Sequence, residues 1–183
     1  MLAAADVPFD AMAAGVDEEA AKASLRADGI SPRNLADALA ELKAVKLSRR
    51  FPDALVLGCD QVASLDGRIF DKAASREEAC EHLQTLRGAT HSQTSAAVIC
   101  EGGKPVWRHI DIAKLAMRDF SDAYLDAYLD AEWPAIGGCA GGYRLEGRGA
   151  QLFTRIDGSH FTILGLPLLP LLDYLRVREV MAV

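Results

Sequence analysis

Ala54-Leu55-Val56-Leu57-Gly58, followed by Cys59-Asp60-Gln61, is the stretch on which the fold turns. Five apolar or glycine residues in a row have the length of a strand, and an unbroken run of this kind reads as a strand covered on both faces. The run ends at Cys59-Asp60-Gln61, which puts a carboxylate just past the carboxyl end of a buried strand. Open α/β sheets place their ligands there. Further along, Asp66-Gly67 between two short apolar stretches predicts a tight hairpin turn.

Upstream of this strand the periodicity is helical. Asp17 to Asp28 is charged and alanine-rich, with Gly29 as its stop. Ser31-Pro32 opens a second helix, the proline suiting its first turn. Leu35, Ala38, Leu39, Leu42 and Val45 follow the spacing of one buried stripe, with Lys43 and Lys46 beside it. Downstream, Ser75-Arg76-Glu77-Glu78 fits a capping box, with Ala79, Leu83 and Leu86 on one face and Gly88 after the end. Thr94 to Cys100 and Val106 to Met117 read as strands joined at Glu101-Gly102-Gly103-Lys104. A helix over Ser121 to Ala131, a glycine-dense region from Gly137 to Gly149, and a leucine-rich terminal helix complete a single mixed α/β domain.

Composition excludes several classes. With 183 residues, net charge −6 and 50% apolar residues, the chain is an ordinary globular domain. A net-acidic chain without a basic block is unsuited to tracking a nucleic-acid backbone. The apolar run from Leu164 to Leu172 is far too short to span a membrane. The N-terminal residues lack the basic flank and apolar stretch of a signal peptide. Four scattered cysteines, none in a CxxC pair, point to a reduced, cytoplasmic chain rather than a disulfide scaffold or zinc site.

Asp60 is the first candidate for chemistry, since its position suits holding a divalent cation or taking a proton from water. It can equally cap a turn. A Walker-type nucleotide site is excluded because no GxxxxGK[ST] loop occurs. Lys72, just ahead of a capped helix, could neutralise a phosphate together with free backbone N–H groups, or be a solvated surface lysine. Lys43 carries the same ambiguity. Glu18, in Asp17-Glu18-Glu19, could ligate a metal or merely complement a helix dipole. Glu146, flanked by flexible glycines, could accept hydrogen bonds from a base edge, or pair with Arg144 or Arg148. His91, at a strand start, reads as an ordinary polar contact.

Taken in order, a series of motifs resembles the Maf family of nucleoside triphosphate pyrophosphatases. They are Val7-Pro8-Phe9, Val16-Asp17-Glu18, Leu42-Lys43-Ala44, Leu57-Gly58-Cys59-Asp60-Gln61-Val62 and Asp66-Gly67-Arg68-Ile69, then Lys72. Leu86-Arg87-Gly88-Ala89-Thr90-His91, Gly142-Tyr143-Arg144-Leu145-Glu146-Gly147 and Ile163-Leu164-Gly165-Leu166-Pro167-Leu168 follow. The resemblance implies an elongated α/β fold with a mixed sheet flanked by helices and a central substrate cleft. It also implies a homodimer, a divalent cation (Mg²⁺ or Mn²⁺) and hydrolysis of a nucleoside triphosphate to monophosphate and pyrophosphate. Asp60 then matches the catalytic proton acceptor, and Glu18, Lys43 and Lys72 match the phosphate and metal site, with Asp60 and Glu18 as metal ligands. Gln61 and Glu146 resemble the subgroup associated with 7-methyl-GTP, whose guanine N1–H and amine a carboxylate can accept.

The pattern departs from the family in three places. Members usually open with a strand leading into Ser-x-x-Arg upstream of Val-Pro-Phe, whereas this chain starts inside the helix that should follow. It therefore reads as one domain over 1–183, shortened at its N-terminus, with an uncovered sheet edge and without those arginines. Ala73 replaces a usual proline, and Ser159-His160 a common Asp-Tyr. A nucleotide-binding or interaction domain without turnover, and a start codon placed too late, both stay open.

Overall fold

The computed structural model describes residues 1–182. The deciding stretch lies in strand β1 (Val56–Leu65), which does not stop before the carboxylate: Asp60 sits in mid-strand. Nor is the apolar run covered on both faces, for Ala54 is exposed and Leu55, Val56 and Leu57 are half-buried. Both differences have one cause. β2 (Arg68–Phe70) pairs only with Ala63, Ser64 and Leu65, so β1 has no outer strand along Val56–Val62 among the described residues. An open edge admits polar side chains that a central strand would exclude.

Around β1 the strands are ordered β2-β1-β3-β4-β5, the last of them a strand that the sequence pattern did not mark. The other strands are β3 (Thr90–Glu101), β4 (Lys104–Met117) and β5 (Phe153–Asp157). The resemblance implied a mixed sheet, but each pairing among the described residues is antiparallel. Two-residue turns join β1 to β2 and β3 to β4, and such turns link only antiparallel neighbours. Asp66-Gly67 and Gly102-Gly103 both have positive φ at their two central residues, matching the strands' twist.

The helices are α1 (Glu18–Ala27), α2 (Pro32–Ser48), α3 (Arg76–Leu86), α4 (Asp122–Glu132), α5 (His160–Ile163) and α6 (Leu168–Val177). Asp17, Ser31, Ser75 and Ser121 cap the first four, each accepting a backbone N–H. At α3 the capping glutamate is displaced by one residue: Glu78 accepts from the N–H of Ala74 rather than from that of Ser75. No helix of the described residues is long and apolar enough to cross a membrane.

α2 lies on one sheet face by a stripe that keeps the predicted Leu35 and Leu39 but is rotated away from Leu42. Leu35, Ala36, Leu39, Ala40 and Ala44 are buried against Val62, Ala96, Val98 and Cys100, while Leu42 is exposed. The rotation follows from Gly58. A Cβ there would stand 2.3 Å from the carbonyl oxygen of Ala40, so helix and strand backbones almost touch and only alanines fit between them. The other face packs against α3 and α4 through Ala63, Leu115, Leu83, Leu125 and Leu129, and against α6 through Ala97, Ile99 and Leu171.

His91 is buried on this second face, with its Nε2 2.6 Å from the hydroxyl of Tyr143. It makes the structural contact expected of it. Burial pushes its imidazole down to about 4. The folded value lies below that of the unfolded chain, so the unfolded state takes up the proton first as pH falls. The resulting stabilisation is complete above about pH 6.5 and lost towards pH 4, amounting to about 3 kcal/mol. Urea unfolding at successive pH values is expected to show this slope, and His91→Gln to flatten it. An unchanged slope in the variant would mean that carboxylates alone account for the acid lability.

Candidate active site

α2 points Lys43 at β1. Its Nζ stands 2.6 Å from Oδ1 of Asp60 and 3.0 Å from Oε2 of Glu18. The three residues therefore form one cluster, although they come from α1, α2 and β1. The other oxygen of Asp60, Oδ2, is buried without a hydrogen-bond partner. Burial pushes the Asp60 carboxyl above its usual range even with Lys43 beside it. For Lys43 burial works in the lowering direction, but the two carboxylates outweigh it and its ammonium is held above the ordinary lysine value. A lysine so held stays charged.

Along α1, Glu18, Lys22 and Arg26 lie one turn apart on one face, and all three line a cleft of about 360 Å³ that also takes in Asp60. Arg26 closes its fork on Asp71, Nη2 at 2.9 Å from Oδ1 and Nη1 at 2.8 Å from Oδ2, and Lys22 Nζ is 3.5 Å from the same carboxylate. Burial raises the Asp71 carboxyl, but these cations prevail and hold it below its usual range. Lys72 lines the cleft as an exposed side chain and makes no ion pair among the described residues.

The opposite wall carries Gln61. Its amide nitrogen donates to the carbonyls of Thr162 at 3.0 Å and Ile163 at 2.7 Å. Both donor protons are thereby committed, and the amide oxygen is what remains to offer. The carbonyl that Gln61 grips is itself fixed. Gln61, Ser95 and Asp111 stand directly opposite one another across β1, β3 and β4. Ser95 Oγ donates to the same Thr162 carbonyl at 2.6 Å, and Thr162 Oγ1 donates to Asp111 Oδ2 at 2.5 Å.

Glu146 also lines the cleft. Its alternative pairing with Arg144 or Arg148 does not form, because both arginines turn to buried Glu132, at 2.7 Å and 4.0 Å. All six residues singled out from the sequence therefore line one cleft. Sequence reasoning missed Lys22, Arg26, Asp71 and Gln93, which line it too. The i, i+4, i+8 spacing of Glu18, Lys22 and Arg26 was available as a signal. Gln93 gave none, being one of a run of polar residues just ahead of the predicted strand at Thr94.

No group of three His, Cys, Asp or Glu side chains among the described residues could hold a metal ion. Two carboxylates with one unpartnered oxygen suit a hard cation shared with phosphate, since Mg²⁺ is commonly bound by one or two carboxylates plus phosphate oxygens. The donors fit on those terms.

Comparison with known proteins identifies the family. The family model described as "Maf-like protein" matches residues 1–178. A "Nucleoside triphosphate pyrophosphatase" of Roseobacter denitrificans is 51% identical over 178 residues, covering 97% of this chain and 89% of the relative. Proteins of the same name from Caulobacter vibrioides and Rhodospirillum rubrum are each 50% identical, over 98% and 99% of this chain and 89% and 90% of their own lengths. With a family model matched over almost its whole length and half its residues shared with relatives of that length, the chain belongs to the Maf family.

Proposed function

We propose that the chain is a nucleoside triphosphate pyrophosphatase, with Asp60 as the proton acceptor and Lys43, Lys72 and Glu18 completing the catalytic site. The observation that carries this reading is the buried, unpartnered Oδ2 of Asp60 in a carboxylate that Lys43 fixes from its other oxygen. Water attacks the α-phosphorus, its proton passes to Asp60, and the anhydride bond to the β-phosphate breaks, leaving monophosphate and pyrophosphate. Such a transfer needs positioning and charge neutralisation more than covalent chemistry. Lys72 meets phosphate charge, and Lys43 keeps Asp60 and Glu18 oriented. A divalent cation, Mg²⁺ or Mn²⁺, held by Asp60 and Glu18, would supply further neutralisation of the triphosphate.

The base side favours a guanine-type ring, as in 7-methyl-GTP. Gln61 and Glu146 offer acceptors, matching the adjacent N1–H and amino donors of guanine. A uracil or thymine edge flanks its single N–H with carbonyls, which would face these acceptors. Methylation at N7 adds positive charge, which the Glu146 carboxylate attracts.

Pyrophosphate release from the full chain with 7-methyl-GTP, GTP, UTP and dTTP, under Mg²⁺ or Mn²⁺, tests this. Preferential turnover of 7-methyl-GTP is expected, and Glu146→Gln should shrink the preference about tenfold, the worth of one charge-assisted hydrogen bond. Equal rates on UTP would overturn the base assignment. A folded chain that binds nucleotide but turns none over would instead establish a binding domain.

A further inference from the structure

α1 buries no residue, yet it carries two cations into the cleft. Lys22 is drawn in closely, its side chain only 16% exposed. Both cations rest on Asp71. Within the cleft these two positive charges share one carboxylate and leave a surplus, the further partner of Lys22, Glu19 at 3.9 Å, being exposed and outside the lining. A guanidinium fork that fits a carboxylate also fits a phosphate. Lys43 cannot supply that surplus, because Asp60 and Glu18 already hold it.

We propose that Lys22 and Arg26 bind the polyphosphate end of the substrate, exchanging Asp71 for phosphate oxygens. The proposal rests on the reading of this cleft as a nucleotide site. Asp71 then acts as a stand-in anion. It keeps the two side chains ordered before substrate arrives, which lowers the entropy lost on binding, while its own charge opposes the incoming phosphate. One consequence separates this from a merely structural ion pair. Removing Arg26 and removing the charge of Asp71 should shift affinity in opposite directions, whereas loss of a structural pair would act the same way from either side.

Calorimetric titration of pyrophosphate with Mg²⁺ into the full chain tests this without requiring turnover. Arg26→Ala and Lys22→Ala are each expected to weaken binding about tenfold or more, as for a lost hydrogen bond to a charged group. Asp71→Asn should tighten it about threefold or more, since a like charge next to the ligand is removed. In steady state, Arg26→Ala should raise KM more than it lowers kcat. Thermal melts confirm folding, and Arg26→Gln replaces any Arg26→Ala that does not fold. Wild-type affinity in both cation variants, weaker binding in Asp71→Asn, or no pyrophosphate binding by the wild-type chain would each overturn the proposal. If the wild type hydrolyses no nucleotide, the pyrophosphatase reading falls, and the titration still decides whether these cations hold phosphate.

Discussion

Asp60→Asn is expected to lower kcat for pyrophosphate release about 10³-fold, within the span that a positioned general base contributes. Asparagine keeps the shape and can still accept from Lys43, whose ammonium also retains Glu18 at 3.0 Å. The fold should therefore survive, and a melting temperature close to wild type is part of the expectation. What is lost is the ability to take a proton from water. The wild-type pH profile carries a matching signature. Burial holds the Asp60 carboxyl of the metal-free chain above its usual range, while a cation on it would draw it down. The acid limb of kcat/KM should therefore rise with pH as the base ionises and move to lower pH as Mg²⁺ is raised. A variant retaining a kcat within tenfold of wild type would remove Asp60 from the role.

Gly58→Ala should be among the most damaging single methyl additions in the chain, alongside Gly149→Ala, whose Cβ would stand 2.3 Å from the Arg144 carbonyl oxygen. At Gly58 the added Cβ would meet the Ala40 carbonyl oxygen at 2.3 Å, the Ala44 nitrogen at 2.8 Å and the Ala44 Cβ at 3.0 Å. Two of these are backbone atoms, so no rotamer change relieves the clash and α2 must retreat. Overpacking of this kind costs about 3 kcal/mol. Lys43 lies between Ala40 and Ala44 on the retreating helix, so its 2.6 Å contact with Asp60 opens as well. The variant should lose both stability in urea and activity. Gly67→Ala is the comparison: it has a φ of 84° but nothing within 4 Å. It should cost about 1 kcal/mol from backbone strain alone and leave kcat unchanged. Equal losses in the two variants would show that close helix–strand approach is not what Gly58 provides.

These examples show what was readable in advance. Capped helices and glycine turns were legible because their signals are local: Ser75 three residues before Glu78, or Asp66 beside Gly67. The placement of α2 was not, because Leu42 and Ala40 are distinguished only by the glycine of a strand that the helix has not yet met. Asp60, Lys43 and Glu18 were picked out one by one, each with a bland alternative. Their convergence depends on three elements packing together, which no spacing within the chain encodes. Lys22 and Arg26 were passed over because a charged helix face ordinarily belongs to solvent. It faces a cleft here because Asp71, from the segment after β2, stands across from it.

Asp60 and Gln61 are chain neighbours, yet alternation along β1 sends one to α2 and the other to the carbonyls of α5, on opposite faces of the sheet. The proposed proton acceptor and the proposed base-reading residue thus share a strand while their hydrogen-bond partners lie on opposite faces. Because the two side chains act through separate protein partners, a double-mutant cycle should show no more coupling than the shared substrate itself transmits. Selectivity could then diversify through Gln61 and its carbonyl partners while the hydrolytic step is inherited intact. An insertion of one residue upstream in β1 would be far costlier than any replacement, since it would send each group to the other's face and abolish both roles at once.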